Sequence, residues 1–215
     1  MADPDEIDEV IKKSRSKTGR PRLGRFRRSV ETSDEAVAAA SPDDEEPIAE
    51  GSPEEPASEE EEEETPFDAA AAHRAFSVEA FNSAWNLIEK TDRSDDDIDE
   101  MINLAHASAW HWAQRGDVSA KNRAISAWQL SRVYAEAGRY EEAERWANRS
   151  LELSESNDVG PVFTGYAYEA LARLANETGD TEKRDEWLAM GRAQAELVDD
   201  KLDQARLLGD LDDLS

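Results

Sequence analysis

The stretch AWQLSRVYAEAGRYEEAERWA, residues 127–147, decides the fold class of this chain. Apolar side chains recur in it at intervals of three and four residues, which is the spacing of one face of an α-helix. Gly138 interrupts this pattern, and glycine commonly follows the last turn of a helix. The stretch therefore predicts two helices joined by a tight turn, which together form an antiparallel helix hairpin.

This hairpin closely resembles the tetratricopeptide repeat in the positions of its large and small residues. The matching pattern is Ala127-x-x-Leu130-Ser131-x-x-Tyr134-x-x-x-Gly138-x-Tyr140-x-x-Ala143-x-x-x-Ala147. A second copy matches the first helix of the family and then departs from it, with Arg184 where a small residue is expected; it reads Tyr168-x-x-Leu171-Ala172-x-x-Ala175-x-x-x-Gly179. The resemblance covers about residues 122–200 and implies a stacked array of helix hairpins, with a plain helical bundle as the alternative.

The same periodicity continues on both sides of the hairpin and predicts an all-α domain. Ser94 and Ser119 are good N-cap residues, and Asp95, Asp96 and Asp97 suit the positive end of a helix dipole. No segment shows a sustained alternation of period two, so no strand is predicted. About six helices are predicted, at approximately residues 76–89, 95–114, 120–137, 140–154, 161–178 and 181–199, with residues 200–209 continuing or bending from the last.

The N-terminal third of the chain has the opposite composition. Seven of the eight prolines lie in residues 1–66, whereas all six tryptophans and all four tyrosines lie after residue 84. A segment without large apolar side chains cannot offset the entropy that is lost when its backbone is ordered. The sequence therefore predicts a long disordered tail, residues 1–73, followed by a helical-repeat domain, residues 74–215.

The predicted tail carries its charge in blocks. Residues 10–30 contain nine bases and no acid, and residues 31–68 contain 17 acids and no base. Within the basic block, the sequence Gly19-Arg20-Pro21-Arg22 resembles the core of the AT-hook, whose arginines enter the narrow minor groove of A·T-rich DNA. The resemblance implies nucleic-acid contacts by Lys17, Gly19, Arg20, Pro21 and Arg22. The alternative is a solvated basic linker that pairs with the acidic block that follows it.

Several classes of function are disfavoured by the composition. The net charge of −26 repels nucleic acid and anionic membranes over most of the surface. The chain has no cysteine, which excludes disulfides, cysteine-ligated zinc and a thiolate nucleophile. The N-terminus lacks the pattern of a signal peptide, and no window approaches 18 consecutive apolar residues. We therefore expect a cytoplasmic protein without membrane contact and without a cofactor.

Catalytic and metal-binding motifs are also missing. The sequence has no phosphate-binding glycine loop, no Gly-x-Ser-x-Gly and no His-Glu-x-x-His. His106 and His111 are five residues apart, about 140° around a helix, so they cannot bind one metal ion from one face. The run from Asp92 to Asp96 begins like a calcium loop but lacks the turn glycine and the bidentate glutamate, so helix capping explains it better. These observations predict a protein that is not an enzyme and holds no metal.

The tetratricopeptide resemblance implies a groove for a partner, because in that family the first helix of each pair lines a concave surface. The groove-facing candidates are Ile125, Trp128 and Arg132 on the third predicted helix, and Tyr166, Glu169 and Arg173 on the fifth. Arg132 and Arg173 are 41 residues apart, which matches the repeat offset, so we expect them side by side. Two aligned arginines suit an acidic side chain or a C-terminal carboxylate of a partner. The alternative is that each arginine pairs with a helix carboxylate such as Glu136 or Glu169.

The sequence as a whole predicts a non-catalytic adaptor or scaffold in which the helical groove binds a protein or peptide and the tail promotes encounter. A second hypothesis is a nucleic-acid-associated regulator that binds DNA through residues 12–28, while the helical domain recruits a partner. A third is a small hydrolase or metal-binding domain that uses His106 or His111.

Overall fold

The computed structural model describes residues 67–215 of the chain. The basic block, residues 10–30, lies wholly outside this part. The acidic block, residues 31–68, and the predicted disordered tail, residues 1–73, overlap it only at its N-terminal edge. The candidate nucleic-acid-binding residues lie wholly outside it, namely Lys17, Gly19, Arg20, Pro21 and Arg22.

The described part of the chain is all-helical, which confirms the predicted fold class, and no strand is present between residues 67 and 215. It contains seven helices, one more than the six predicted. The helices are α1 (Ala69–Ile88), α2 (Asp95–Gln114), α3 (Ala120–Glu136), α4 (Tyr140–Ser156), α5 (Pro161–Thr178), α6 (Thr181–Glu196) and α7 (Lys201–Asp212).

Local side-chain hydrogen bonds start α2 and α3 where the sequence predicted them. The hydroxyl of Ser94 accepts from the backbone N–H of Asp97, and the Asp97 carboxylate accepts in return from the N–H of Ser94, which makes a capping box. Ser119 and Asn122 form the same reciprocal pair at the start of α3. The first unpaired N–H groups of both helices are thereby satisfied, and α2 and α3 begin at these caps.

Two helix starts differ from the prediction. Helix α1 begins at Ala69 rather than near residue 76, because the Asp68 carboxylate accepts from the N–H of Ala71 and caps the alanine-rich turns that follow. Helix α7 is separate from α6, because the Asp200 carboxylate accepts from the N–H groups of Leu202 and Asp203 and starts a new helix. The predicted continuation at residues 200–209 is therefore a capped helix of its own.

The helices pack in sequence as three antiparallel hairpins, α1–α2, α3–α4 and α5–α6, followed by α7. The end of α2 meets the beginning of α1, where the Ser108 hydroxyl donates to the carbonyl of Ser77 over 2.8 Å. The end of α4 likewise meets the beginning of α3, where the Ser150 hydroxyl donates to the carbonyl of Ala124 over 3.0 Å. Successive hairpins pack through α2 against α3 and α4 against α5.

The first helices of the hairpins also touch one another, α1 with α3 and α3 with α5. The amide of Gln129 on α3 is buried and donates to the carbonyl of Phe81 on α1 over 2.9 Å. Two stretches are buried on every side, residues 124–131 of α3 and 164–172 of α5. The core therefore runs along the row of first helices, and α3 and α5 form its centre.

Helix α7 packs against α5 and α6, in the position that the first helix of a fourth hairpin would take. Leu207 and Leu211 are fully buried there. Leu207 lies over Gly165 of α5 and Leu211 over Gly191 of α6, so closely that a β-carbon on either glycine would overlap a leucine methyl group. These two glycines allow α7 to close the end of the array.

None of the helices between residues 67 and 215 is long and apolar enough to cross a lipid bilayer.

Candidate binding site on the first helices

Three aromatic rings form a continuous contact along the first helices, which we call the aromatic ladder: Trp85 of α1, Trp128 of α3 and Tyr166 of α5. The ring centroids of Trp85 and Trp128 are 5.3 Å apart, and those of Trp128 and Tyr166 are 5.4 Å apart. These tilted contacts fall in the range that aromatic pairs prefer. The ladder therefore connects the first helices of all three hairpins through direct contacts between their side chains.

The six predicted groove residues fall into two groups in the structure. Four are buried between the helices, with 2–9% of their surface exposed, namely Ile125, Trp128, Tyr166 and Glu169. Arg132 and Arg173 keep 24% and 19% of their side chains exposed. In the free chain, the two arginines thus offer a partner more of their surface than the four residues packed beside them.

Both arginines belong to a row of charged groups, which we call the ionic row. It crosses the first helices and the turn after α1, and it consists of Arg93, Arg132, Glu136, Glu169, Arg173 and Asp210. Glu136 meets an arginine on each side: its Oε2 accepts from Arg93 Nη2 over 2.7 Å, and its Oε1 forms an ion pair with Arg132 Nε at 3.1 Å. Arg93 also donates to the carbonyls of Leu87, Ile88 and Lys90, so it closes the C-terminus of α1 as well.

Arg173 forms the other half of the ionic row. Its Nε donates to Glu169 Oε1 over 2.9 Å, and Glu169 is only 3% exposed. Burial alone would lower the pKa of Arg173, but the charges of Glu169, Asp210 and Glu136 outweigh it and raise the pKa. The charges of Glu136 on α3 and Asp210 on α7 thus act on Arg173 of α5.

The pairs Arg132–Glu136 and Arg173–Glu169 match the alternative drawn from the sequence, in which each arginine pairs with a helix carboxylate. Their surroundings are more enclosed than a solvated face, because Glu136 and Glu169 keep only 11% and 4% of their side chains exposed. A charge-assisted hydrogen bond is stronger where water is excluded. A carboxylate from outside would have to take up donor groups that Glu136 and Glu169 now occupy.

The histidines of α2 lie in two different surroundings. Nε2 of His106 is 2.9 Å from the Tyr134 hydroxyl, and its ring meets Trp146 edge-on with centroids 6.0 Å apart. Burial, and then the charge of Arg145, lower the pKa of His106. His111 instead contacts residues of α1. The two side chains therefore do not form one site, in agreement with their spacing in the sequence.

The sequence did not predict that His73 and His111 lie in contact. Nδ1 of His73 on α1 is 2.8 Å from Nδ1 of His111 on α2, and the ring centroids are 5.0 Å apart. Burial and the charge of His73 lower the pKa of His111. The two residues are 38 positions apart and belong to different helices, so no spacing within one helix could have revealed them.

The N-terminal half of α2 borders an open surface pocket of about 400 Å³ that is lined by Asp96, Asp99, Glu100, Asn103, Leu104 and Ala107. The run from Asp92 to Asp96, considered as a calcium loop, serves in the structure as the cap of α2 through Ser94. Between residues 67 and 215, no group of three or more His, Asp or Glu side chains is placed to share a metal ion.

Comparison of the chain with protein-family models, with curated proteins and with solved structures finds no match. The functional argument therefore rests on the geometry of the chain itself.

Proposed function

We propose that this protein is a non-catalytic, cytoplasmic interaction module, an adaptor whose tetratricopeptide-like array binds a protein or peptide partner. The order of its helices supports the proposal, since hairpins follow one another and their first helices touch in a row. In an array of this kind, each unit contacts its neighbours and the row of equivalent helices offers an extended binding surface. The C-terminal helix α7 closes one end of that row.

The observation that carries the proposal is the placement of Arg132 and Arg173. Both lie on first helices, both remain partly exposed, and both are held in place by a carboxylate of their own helix. Arginine presents a planar fork that matches a carboxylate with two parallel hydrogen bonds. A peptide with an acidic side chain or a free C-terminal carboxylate would exchange with Glu136 or Glu169 at these forks.

The test uses the full-length chain and a displayed library of random peptides with free C-termini. Peptides that are enriched on the protein are synthesised twice, once with a free carboxylate and once with a C-terminal amide, and both forms are titrated. We expect the amide form to bind about tenfold or more weakly, because a hydrogen bond to a charged group contributes about 1.5–3 kcal/mol.

The variants are chosen so that the fold survives. Arg132→Lys and Arg173→Lys keep the positive charge that Glu136 and Glu169 require but lose the fork. We expect each to weaken the selected peptides, whereas Arg149→Lys should not, since Arg149 forms only an exposed pair with Glu152 on α4. Equal affinity of the wild type and both fork variants for the selected peptides would refute the role of the arginines.

A second candidate function rests on the basic block of residues 10–30, with nine bases and no acid. We propose it as the alternative, a DNA-associated regulator that binds through residues 12–28. Fluorescence anisotropy of labelled A·T-rich and G·C-rich duplexes, titrated with the full-length protein and with Arg20→Ala, tests it. Binding that prefers A·T, weakens steeply with salt and disappears in the variant supports this candidate, and its absence even at low salt removes it.

A further inference from the structure

The two imidazoles of His73 and His111 meet head to head at the place where α1 begins and α2 ends. Their Nδ1 atoms are 2.8 Å apart, which is a hydrogen-bond distance. One Nδ1 must carry a proton and the other must accept it, so the pair shares a single proton between two basic nitrogens. The two rings come from different helices, and the packing of the hairpin therefore sets their separation.

The surroundings leave this pair accessible. Both histidines are half-buried, and Trp110, which is 56% exposed, lies beside them with ring centroids 5.3 Å from His73 and 4.9 Å from His111. Phe76 covers His111 from α1 with centroids 5.4 Å apart. The carboxylate of Asp117, in the turn after α2, is held by Arg74 and Arg115.

Two imidazole nitrogens at this distance suit one class of metal ion in particular. Metal–nitrogen bonds of about 2.05 Å, drawn to atoms 2.8 Å apart, enclose an angle of about 86° at the ion. A tetrahedral ion would need the nitrogens about 3.3 Å apart, whereas a square-planar or octahedral ion needs about 2.9 Å. When the rings turn toward an ion, the Nδ1–Nδ1 distance therefore has to widen less for a square-planar or octahedral ion than for a tetrahedral one, and imidazole ligands in such a geometry suit Cu²⁺ or Ni²⁺.

We propose that His73 and His111 form a two-histidine binding site for a late first-row divalent metal ion, Cu²⁺ or Ni²⁺. The ion takes the place of the shared proton. The histidine that donates through Nδ1 moves its proton to Nε2, both rings turn from facing each other to facing the ion, and both Nδ1 lone pairs become ligands. The protein supplies two adjacent ligands, and water completes the coordination of the ion.

Full-length protein is titrated at neutral pH with CuCl₂ and, separately, with NiCl₂, in the presence of free glycine as a weak competitor. Binding is followed by calorimetry and by quenching of tryptophan fluorescence, since Trp110 lies against both rings. We expect one histidine-dependent ion per chain, with Cu²⁺ bound more tightly than Ni²⁺ and Zn²⁺ bound weakly.

The chain offers a matched control because it has only three histidines and no cysteine. His73→Asn and His111→Asn should each weaken Cu²⁺ binding by about tenfold or more, at least as much as the loss of an outer-shell partner. His106→Asn should bind as the wild type does. Unchanged binding in both His73→Asn and His111→Asn would overturn the proposal and assign the ion to the carboxylates of the chain. An equal loss in His106→Asn would also overturn it, because the binding would then not be specific to the His73–His111 pair.

A measurement on the wild type alone guards against variants that fold poorly. Paramagnetic Cu²⁺, added at a small fraction of the protein concentration, broadens the ring proton NMR signals of the imidazoles that bind it. The ring proton signals of His73 and His111 should therefore disappear first. Broadening of the His106 signal first, or of all three signals equally, would overturn the proposal.

Discussion

The contact between Leu207 of α7 and Gly165 of α5 allows a sharp test of how the array is closed. Gly165→Ala adds a β-carbon that overlaps Cδ2 of Leu207 and comes within 3.4 Å of its Cδ1. Because Leu207 is fully buried, its methyl groups can move only by displacing packed neighbours. Overpacking of this kind typically destabilises a protein by about 1–3 kcal/mol.

The same substitution also has a favourable term, since alanine is better than glycine in a helix by about 1 kcal/mol. We therefore expect Gly165→Ala alone to lower the free energy of unfolding by up to about 2 kcal/mol. Leu207→Ala alone should lower it by about 2–5 kcal/mol through the lost burial and the cavity. In the Leu207→Ala background the overlap is gone, so adding Gly165→Ala should raise stability by about 1 kcal/mol. The sign of the glycine substitution should thus reverse.

The four proteins are compared by urea unfolding, followed by far-UV circular dichroism of the full-length chain. Gly209→Ala is the control, because Gly209 lies on α7 with nothing within 4 Å of its would-be β-carbon. It should stabilise by about 1 kcal/mol. If Gly165→Ala stabilised the wild type as much as Gly209→Ala does, α7 would not pack on α5 as described, and the reasoning would be refuted.

Two further predictions concern charged groups in the turns. The hydrogen bond from Lys90, followed by those from the backbone and hydroxyl of Ser94, lowers the pKa of Asp97 from 3.8 to about 2. Because the folded pKa lies below the unfolded one, this stabilisation is present above about pH 4 and is lost as the pH falls towards 2. The melting temperature of Asp97→Asn should therefore lie below that of the wild type at neutral pH and approach it between about pH 4 and pH 2; a constant gap would contradict the assignment. Arg93→Ala removes the cap of α1 and one partner of the partly buried Glu136, so it should lower the free energy of unfolding by about 3 kcal/mol. In a Glu136→Gln background the loss measured by urea unfolding should shrink to about 1 kcal/mol, that of the capping bonds alone, and an undiminished loss would show that the ion pair contributes nothing.

The helix boundaries that could be predicted are those fixed by nearby residues. Ser94 and Ser119 cap their helices with partners three residues away, and Gly138 and Gly179 end theirs with positive φ angles of 68° and 79°. Each of these signals is local, so one sequence suffices to read it. The start of α1 escaped because its alanine-rich first turns carry no apolar stripe, and only the cap at Asp68 marks it.

The candidate site could be predicted in part for the same reason. The pairs Arg132–Glu136 and Arg173–Glu169 each join residues four apart on one helix, a spacing that faces side chains toward each other. The pairs His73–His111 and Arg93–Glu136 join residues 38 and 43 positions apart. These depend on the register of one helix against another, which the periodicity of a single helix does not contain.

The burial of individual groove candidates is a property that the sequence pattern did not contain. The resemblance to a repeat placed Trp128 and Tyr166 toward a groove, and in the structure the two rings pack against each other with less than a tenth of their surface exposed. Large aromatic rings contribute more free energy by contact with one another than by contact with water. A position that faces the neighbouring first helix can therefore pack against a side chain of that helix instead of against a partner. The spacing of apolar residues in the sequence is the same in these two situations.

The glycines beneath α7 also limit how such a domain could have grown. Gly165 and Gly191 accommodate Leu207 and Leu211 because each lacks a side chain. A further hairpin inserted after α6 would place its own first helix where α7 now lies, and that helix would need bulky residues matched to the same two positions. Small residues at those positions of the new helix would leave cavities above the two glycines, and such cavities destabilise a packed core.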